Sequence, residues 1–314
     1  MRTSIHPETS RQNGGGQTRR TFLGAATGAV AFSALTALRG AAPNRDSLAG
    51  EIGLTTGSFM RHLSAEAAPG KLRLLDLPQL MRDELGMRVM DLMTATLVDL
   101  SPAYLDALRA AADRAGCVLT NLKMNQPGLD LGHPDLAVRR HAITSYKMTM
   151  DAAARLGVRW VRPLPAAKRP DYAVLAEGLR ELIDYGAGRG LVVLIENFGW
   201  LMDDPEAIPA VIRATGSELR AQPDTGNWTD AARYAGLAKA FPFAVTCDFK
   251  AFQLDANDEH PRYDLKRCFQ TGWDAGYRGP WCFEHFHTDL KGLVRGMGIL
   301  RDRIRQWTRE AQGR

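Results

Sequence analysis

Leu191-Val-Val-Leu-Ile-Glu-Asn-Phe-Gly199 is the stretch that decides the fold. An apolar run with β-branched residues leads into a carboxylate. A run with no polar alternation reads as a strand buried on both faces, as in a parallel sheet. Glu196 falls where that strand meets its loop, and a charge there is costly unless it is paired or bound to metal. Three further strands downstream end in the same way: Leu219-Arg-Ala-Gln-Pro-Asp224, Phe243-Ala-Val-Thr-Cys-Asp248 and Gly279-Pro-Trp-Cys-Phe-Glu284. Four successive strand ends therefore carry an acid in the same place.

Outward from this segment, apolar runs alternate with amphipathic helical stretches. Strands are expected at Glu51–Thr56, Met87–Met93, Cys117–Lys123 and Val158–Arg162, ahead of the four already quoted. Helix starts are marked by Asp76-Leu-Pro78 and Ser101-Pro102, with a capping side chain before a proline in the first turn. Gly116 and Gly157 mark helix ends. Eight βα units imply a parallel sheet. Eight units in about 260 residues have the size of a closed (β/α)₈ TIM barrel, in which active sites form at the carboxyl ends of the strands. A doubly wound open sheet is the alternative, but no Gly-rich phosphate loop follows the first strand. Residues 50–314 are thus expected to form one domain.

The front of the chain is a different kind of sequence. Met1–Gln17 is polar and Gly-rich. Thr18-Arg-Arg-Thr-Phe-Leu23 and a weakly apolar, Ala/Gly-rich run to Leu38 follow it. This resembles a twin-arginine export signal, which implies contact with the twin-arginine export machinery and a periplasmic or secreted product. The run is too short for a membrane span, so no stable membrane anchor is expected. Residues 1–49 are assigned to this leader. They hold six arginines against Glu8 and Asp46, so four of the chain's five net positive charges belong to them. The basic balance is therefore no argument for a nucleic-acid partner. Cys117, Cys247, Cys268 and Cys282 form no CxxC pair. Side chains alternate along a strand, so Cys247 and Cys282 should face opposite sides of the barrel wall, and the four are read as buried thiols.

By the same alternation Leu194 shares a face with Glu196, and Gln222 with Asp224. In a barrel these faces point inward, and Glu196, Asp224, Asp248 and Glu284 converge. Uncompensated, they would repel one another and some would protonate. A divalent ion relieves this; an all-oxygen set favours Mn²⁺ or Mg²⁺, and Zn²⁺ or Co²⁺ if a histidine joins. The other reading is that the acids pair with Lys250, Arg162 or Lys123.

The residues Ile195-Glu-Asn197, Pro223-Asp-Thr-Gly-Asn227, Asp248-Phe-Lys250, Tyr263-Asp264, Gly276-Tyr-Arg-Gly279 and Phe283-Glu284 resemble the xylose-isomerase-like TIM-barrel superfamily. The resemblance covers the whole barrel. It implies a metal held by Glu196, Asp224, position 248 and Glu284, with Glu196 and Glu284 moving a proton through an enediolate and Lys250 stabilising the oxyanion. Asp248 departs from the pattern, which has His there, and Phe198 departs where relatives often have His. Lys123, Arg162, Trp200, Asn227, His285 and His287 are candidates for binding substrate hydroxyls, with Trp200 suited to stacking on a sugar face. The implied function is a metal-dependent isomerase or epimerase on a sugar or cyclitol. A lyase or dehydratase on a keto-sugar would use the same residues. Two other classes are a non-catalytic sugar-binding barrel and an endonuclease-IV-type nuclease. The nuclease needs histidines where this chain has Asp91, Lys123 and Asn227. Isomerases of this fold often assemble as homo-oligomers.

Overall fold

The computed structural model describes residues 48–313, and the leader assigned above lies outside them apart from its last two residues. Eight parallel strands run through the domain: β1 (Ile52–Thr55), β2 (Val89–Met93), β3 (Val118–Met124), β4 (Trp160–Pro163), β5 (Val192–Ile195), β6 (Arg220–Ala221), β7 (Cys247–Ala251) and β8 (Trp281–His285). The sheet order is β6-β5-β4-β3-β2-β1-β8-β7. Bridges Ala221↔Ala244 and Asp224↔Asp248 tie the β6 segment to the β7 segment. The sheet thus curls until its two edges meet, as the (β/α)₈ pattern requires.

Helices follow the strands in turn: α1 (Leu77–Leu80, continued as a π turn to Leu85), α2 (Pro102–Ala115), α3 (Leu136–Leu156), α4 (Tyr172–Ala187), α5 (Ala207–Thr215), α6 (Arg233–Ala240), α7 (Leu265–Asp274) and α8 (Leu290–Gln312). The cap expected at Ser101 forms, whereas Asp76 makes no capping bond to α1 and pairs with Arg73 instead. Ser101 caps α2 by accepting from Tyr104 N, and Asp135 caps α3 by accepting from Ala137 N. Gly116 and Gly157 close these helices in the left-handed region, at φ 67° and 73°, where a side chain would be strained. Among the described residues no helix is long and apolar enough to cross a membrane.

Two apolar layers flank the barrel wall. The larger lies between strands and helices and holds Cys247, Phe249, Phe269, Trp281 and Trp307. The smaller lies inside the barrel and consists of Leu48, Val89, Val118, Trp160, Leu194 and Cys282. Cys247 and Cys282 therefore do face opposite sides, and all four cysteines are buried free thiols.

Strand limits differ from the expectation in ways that matter for the site. β5 ends at Ile195, so Glu196 is the first residue beyond it. Only Arg220 and Ala221 of the sixth segment form a ladder, and Pro223 has no N–H to extend it. β7 starts later and runs on to Ala251, so Asp248 sits within the strand and Lys250 near its end. The β2–β3 register shifts between Met90 and Asp91. This irregularity changes which β3 residues point inward. Val118 belongs to the inner apolar layer, whereas three residues later it is Asn121, and then Lys123, that reach the inner polar groups.

Candidate active site

Above the inner apolar layer the barrel is filled with charge. Five acids are buried there: Asp91, Glu196, Asp224, Asp248 and Glu284. Three cations accompany them, Lys123, Arg162 and Lys250.

Lys123 spans the barrel. It rises from β3, yet its Nζ lies 2.7 Å from Asp248 Oδ1 on β7 and 2.8 Å from Glu284 Oε1 on β8. Lys250 rises from β7 beside Glu284, its register partner on β8. Its Nζ lies 2.6 Å from Asp224 Oδ2, 2.9 Å from Glu284 Oε2 and 2.7 Å from Asn227 Oδ1. Asn227 Nδ2 donates to Glu196 Oε1 at 2.8 Å, and Arg162 Nε lies 2.8 Å from Glu196 Oε2. The Arg162–Glu196 and Lys250–Asp224 contacts are close ion pairs rather than aligned hydrogen bonds, since Arg162 Nε, Glu196 Oε2 and Asp224 Oδ2 lack a well-directed partner. Gln222 Nε2 donates to Asp248 Oδ2 at 3.0 Å, and Gln222 Oε1 accepts from Asn121 Nδ2 at 2.8 Å.

The loop after β6 is built to hold this geometry. Asp224 Oδ1 accepts from the backbone of Gly226 at 2.7 Å and Asn227 at 2.9 Å, which folds the loop back over its own carboxylate. Asn197 Oδ1 accepts from Asp224 N at 2.8 Å, and Asn197 Nδ2 donates to Asp224 O at 2.9 Å. A Cβ at Gly226 would lie 2.7 Å from Lys250 Cδ and 2.7 Å from the Tyr263 hydroxyl, so only glycine lets the lysine stem pass.

Burial and neighbours set the charge states. Burial opposes the Lys123 ammonium, but Asp248, Glu284 and Glu196 outweigh it and hold its pKa well above the usual lysine range. Lys250 is raised in the same way by Asp224 and Glu284. Burial would also neutralise Glu284, yet the two lysines hold it well below the usual carboxylate range. Asp248 goes the other way: burial and the neighbouring acids outweigh Lys123 and push it well up. Burial pushes Asp224 up to about 6 against the pull of Lys250. Asp91 is raised by burial despite Lys123; its Oδ1 accepts from the Thr120 hydroxyl and its Oδ2 has no partner. Five acids against three cations leave an excess of negative charge, and burial favours the protonated forms of the raised acids.

Glu196, Asp224 and Asp248 each offer an oxygen within 4.8 Å of the others, a spacing at which three acids could bind a metal. The surroundings of those oxygens are a second test. Each of the eight oxygens of Glu196, Asp224, Asp248 and Glu284 already has a protein nitrogen within 3.0 Å. Four of those contacts are to lysine ammonium groups. The spacing suits an ion, but the arrangement of the side chains does not leave its place open.

A cleft of about 540 Å³ opens above the cluster. Glu284 lines it, together with Arg61, Met93, Phe252, Phe286 and His287. This volume lies within the range of small-ligand sites. Phe252 and Phe286 stack at 4.9 Å, and Phe252 also lies 4.8 Å from Lys250 Nζ. They form an apolar wall at the mouth that the strand-end pattern did not single out. Both lie just beyond their strands, β7 and β8, and that position was the available signal.

Among the residues expected to bind substrate, Lys123, Arg162 and Asn227 join the acid cluster, and His287 lines the cleft. His287 Nδ1 lies 3.0 Å from Asp289 Oδ2. Two fall elsewhere. Trp200 is buried against Tyr172 at 5.5 Å, with the Arg169 guanidinium over its ring, and does not line the cleft. His285 follows Glu284 and so faces the other side of the wall; its ring pairs with Ala251 O and lies against Gly296 of α8.

Comparison with known proteins agrees with the barrel fold. The family profile described as xylose isomerase-like TIM barrel matches residues 83–310. No curated protein matches the sequence. Among solved structures, D-psicose 3-epimerase with D-tagatose from Clostridium cellulolyticum H10 superposes with a TM-score of 0.65 at 15% identity, covering 82% of this chain and 98% of that one. A xylose isomerase-like TIM barrel protein from Mycobacterium smegmatis in complex with magnesium gives 0.61 at 16%, covering 83% and 97%. A xylose isomerase domain protein from Alicyclobacillus acidocaldarius gives 0.60 at 20%, covering 83% and 99%. At such identities these likenesses speak for the fold.

Proposed function

Because the chain belongs to the xylose isomerase-like TIM barrel family, we propose that it is a carbohydrate isomerase or epimerase that moves a proton at the carbon next to a carbonyl. The observation that carries this reading is the position of Glu284. It is the one member of the acid cluster that lines the cleft, and both of its oxygens are held by lysines.

Such a reaction needs a base for the C–H proton and positive charge for the oxygen that becomes an enediolate. Glu284 is the base, and Lys250 and Lys123 supply the charge. The unliganded carboxylate is a weak base because both ammonium groups hold its pKa down. A substrate oxygen that draws an ammonium hydrogen bond away from Glu284 loosens the hold on that carboxylate, so its proton affinity rises on binding. Glu196 lies behind Asn227 and orients it, and Asn227 in turn accepts from Lys250. Phe252 and Phe286 offer an apolar surface to a sugar ring. The neighbouring epimerase, crystallised with D-tagatose, supports a free monosaccharide as substrate.

The twin-arginine leader and a periplasmic or secreted destination belong to the same proposal and rest on the sequence. An exported enzyme favours a sugar without phosphate. Fractionation of cells making the full chain, with and without Arg19→Lys and Arg20→Lys, checks the export route.

Solvent exchange tests the chemistry. The protein is incubated in D₂O with a panel of free ketohexoses and aldoses, and deuterium next to the carbonyl is read by mass spectrometry. Uptake that falls at least about 100-fold in a folded Glu284→Gln variant is the expected result. No uptake with any sugar, or undiminished uptake in the variant, would overturn the assignment.

A further inference from the structure

We propose that Lys123 and Lys250 take, as fixed parts of the chain, the place of a divalent metal ion, and that Lys123 is what keeps the ion out. The inference rests on the proton-transfer reading only for its catalytic meaning; ion binding is measured without any sugar.

The first observation is saturation. An ion bound among Glu196, Asp224 and Asp248 would share oxygens that already face nitrogen. Asp248 Oδ1 faces Lys123 at 2.7 Å and Asp224 Oδ2 faces Lys250 at 2.6 Å. A magnesium ion sits about 2.1 Å from its oxygen ligands and asks for near-octahedral coordination. On those two oxygens it would stand no more than about 5 Å from each ammonium. At that range, inside a buried site, the repulsion between a divalent ion and two unit charges is strong.

The second observation is that the lysines have nowhere else to go. Lys123 is 1% exposed and reaches across the barrel to β7 and β8. Its ammonium could leave only by abandoning two buried acids. Lys250 Nζ is ringed by Asp224, Glu284 and Asn227, and its stem passes Gly226 with no room to spare. Neither side chain is a surface lysine that swings aside at little cost.

The third is the division of labour this implies. In an enediolate reaction a metal ion lends positive charge to two neighbouring oxygens. Two ammonium groups, each touching one oxygen of Glu284, offer that charge from beneath the cleft that Glu284 lines.

The test is metal binding by the full-length protein. After purification without chelator, metal is counted by mass spectrometry, and melting is followed with EDTA, Mn²⁺ or Mg²⁺. The wild type is expected to carry well under one divalent ion per chain and to melt at the same temperature in all three. Lys123→Met removes the ammonium but keeps the stem. It is expected to gain an ion and to melt about 5 °C or more higher with Mn²⁺ in large excess over its dissociation constant. Lys123→Gln serves the same purpose if the methionine variant does not fold. One tightly held ion in the wild type, with a melting point that falls in EDTA, would overturn the proposal. So would Lys123 variants that fold and bind no ion, since another group would then be the one excluding it.

Discussion

Asn227 joins Glu196 to Lys250: its amide nitrogen donates to Glu196 Oε1 at 2.8 Å while its amide oxygen accepts from Lys250 Nζ at 2.7 Å. No other neutral side chain in the cluster touches both a glutamate and a lysine. Asn227→Asp would keep the shape and the acceptor for Lys250 but place a carboxylate against Glu196. Activity is expected to fall on the order of 100-fold with the fold retained, because both groups orient the charge at the cleft. Steady-state kinetics beside circular dichroism checks this.

Lys123 couples three strands, so its removal should be felt in stability before anything else. Lys123→Met leaves Asp248 and Glu284 buried without their shared cation, which is expected to cost about 3–5 kcal/mol. Adding Asp248→Asn to the same chain removes one of the stranded acids and should recover 1 kcal/mol or more, roughly the size of a contact coupling. Urea unfolding of the two single variants and the double variant measures it. Strict additivity would mean that the two side chains do not interact.

Asp224 gives the stability a pH dependence of predictable sign. Burial pushes its carboxyl up to about 6; Lys250 opposes this, and Glu284 and Glu196 add to it. Between the ordinary value of 3.8 and 6, the folded chain keeps a proton that the unfolded chain has lost. Its contribution is therefore full below the ordinary value and falls as pH rises through about 6. Glu284 acts oppositely, contributing above its ordinary value of 4.5 and losing that contribution as pH falls. Melting curves of the wild type and Asp224→Asn from pH 4 to 7 should diverge in slope. The variant should lack the decline between about pH 4 and 6.

Two aromatic residues near the mouth should separate by assay. Phe252 is 45% exposed and faces the cleft, whereas Trp200 is packed against Tyr172. Phe252→Ala is expected to raise KM about 10-fold with little change in melting, since a stacking surface is lost. Trp200→Ala is expected to cost about 3–5 kcal/mol of stability and to leave KM close to its original value. The opposite pattern would place the sugar on the other side of the barrel mouth.

Much of this architecture can be read in advance, for physical reasons. The period of a strand is two, so Leu194 and Glu196, Gln222 and Asp224, and Cys282 and Glu284 had to share faces, and they do. The helix ends at Gly116 and Gly157 follow from backbone geometry alone. Lys123 is read as a partner of the acids from its place at the end of its strand, but strand parity alone would not put it there. Counting by twos from the inward-facing Val118 sends Lys123 outward, and only the register shift beside Asp91 reverses it. A shift of this kind depends on the neighbouring strand, not on a local signal. Asp91 shows the same limit. An acid in mid-strand looks like an outward residue until the barrel closes over it. Trp200 was placed by proximity to Glu196 in the chain, but the loop after β5 turns it against α4. Exposed Phe252 and half-buried Phe286 stand just past their strands, where aromatics carry no periodic pattern to mark them.

Leu48 lies among Val89, Val118, Trp160, Leu194 and Cys282, at the end of the barrel away from the cleft. The first described residue is thus also the stopper of the lumen. Under the proposed export, the place where the leader is cut bears directly on the fold. A cut ahead of Leu48 would leave the stopper in place, whereas one beyond it would pull it and leave a hole beneath the charged cluster. Water admitted there would weaken every ion pair above it without touching any of the residues that form them.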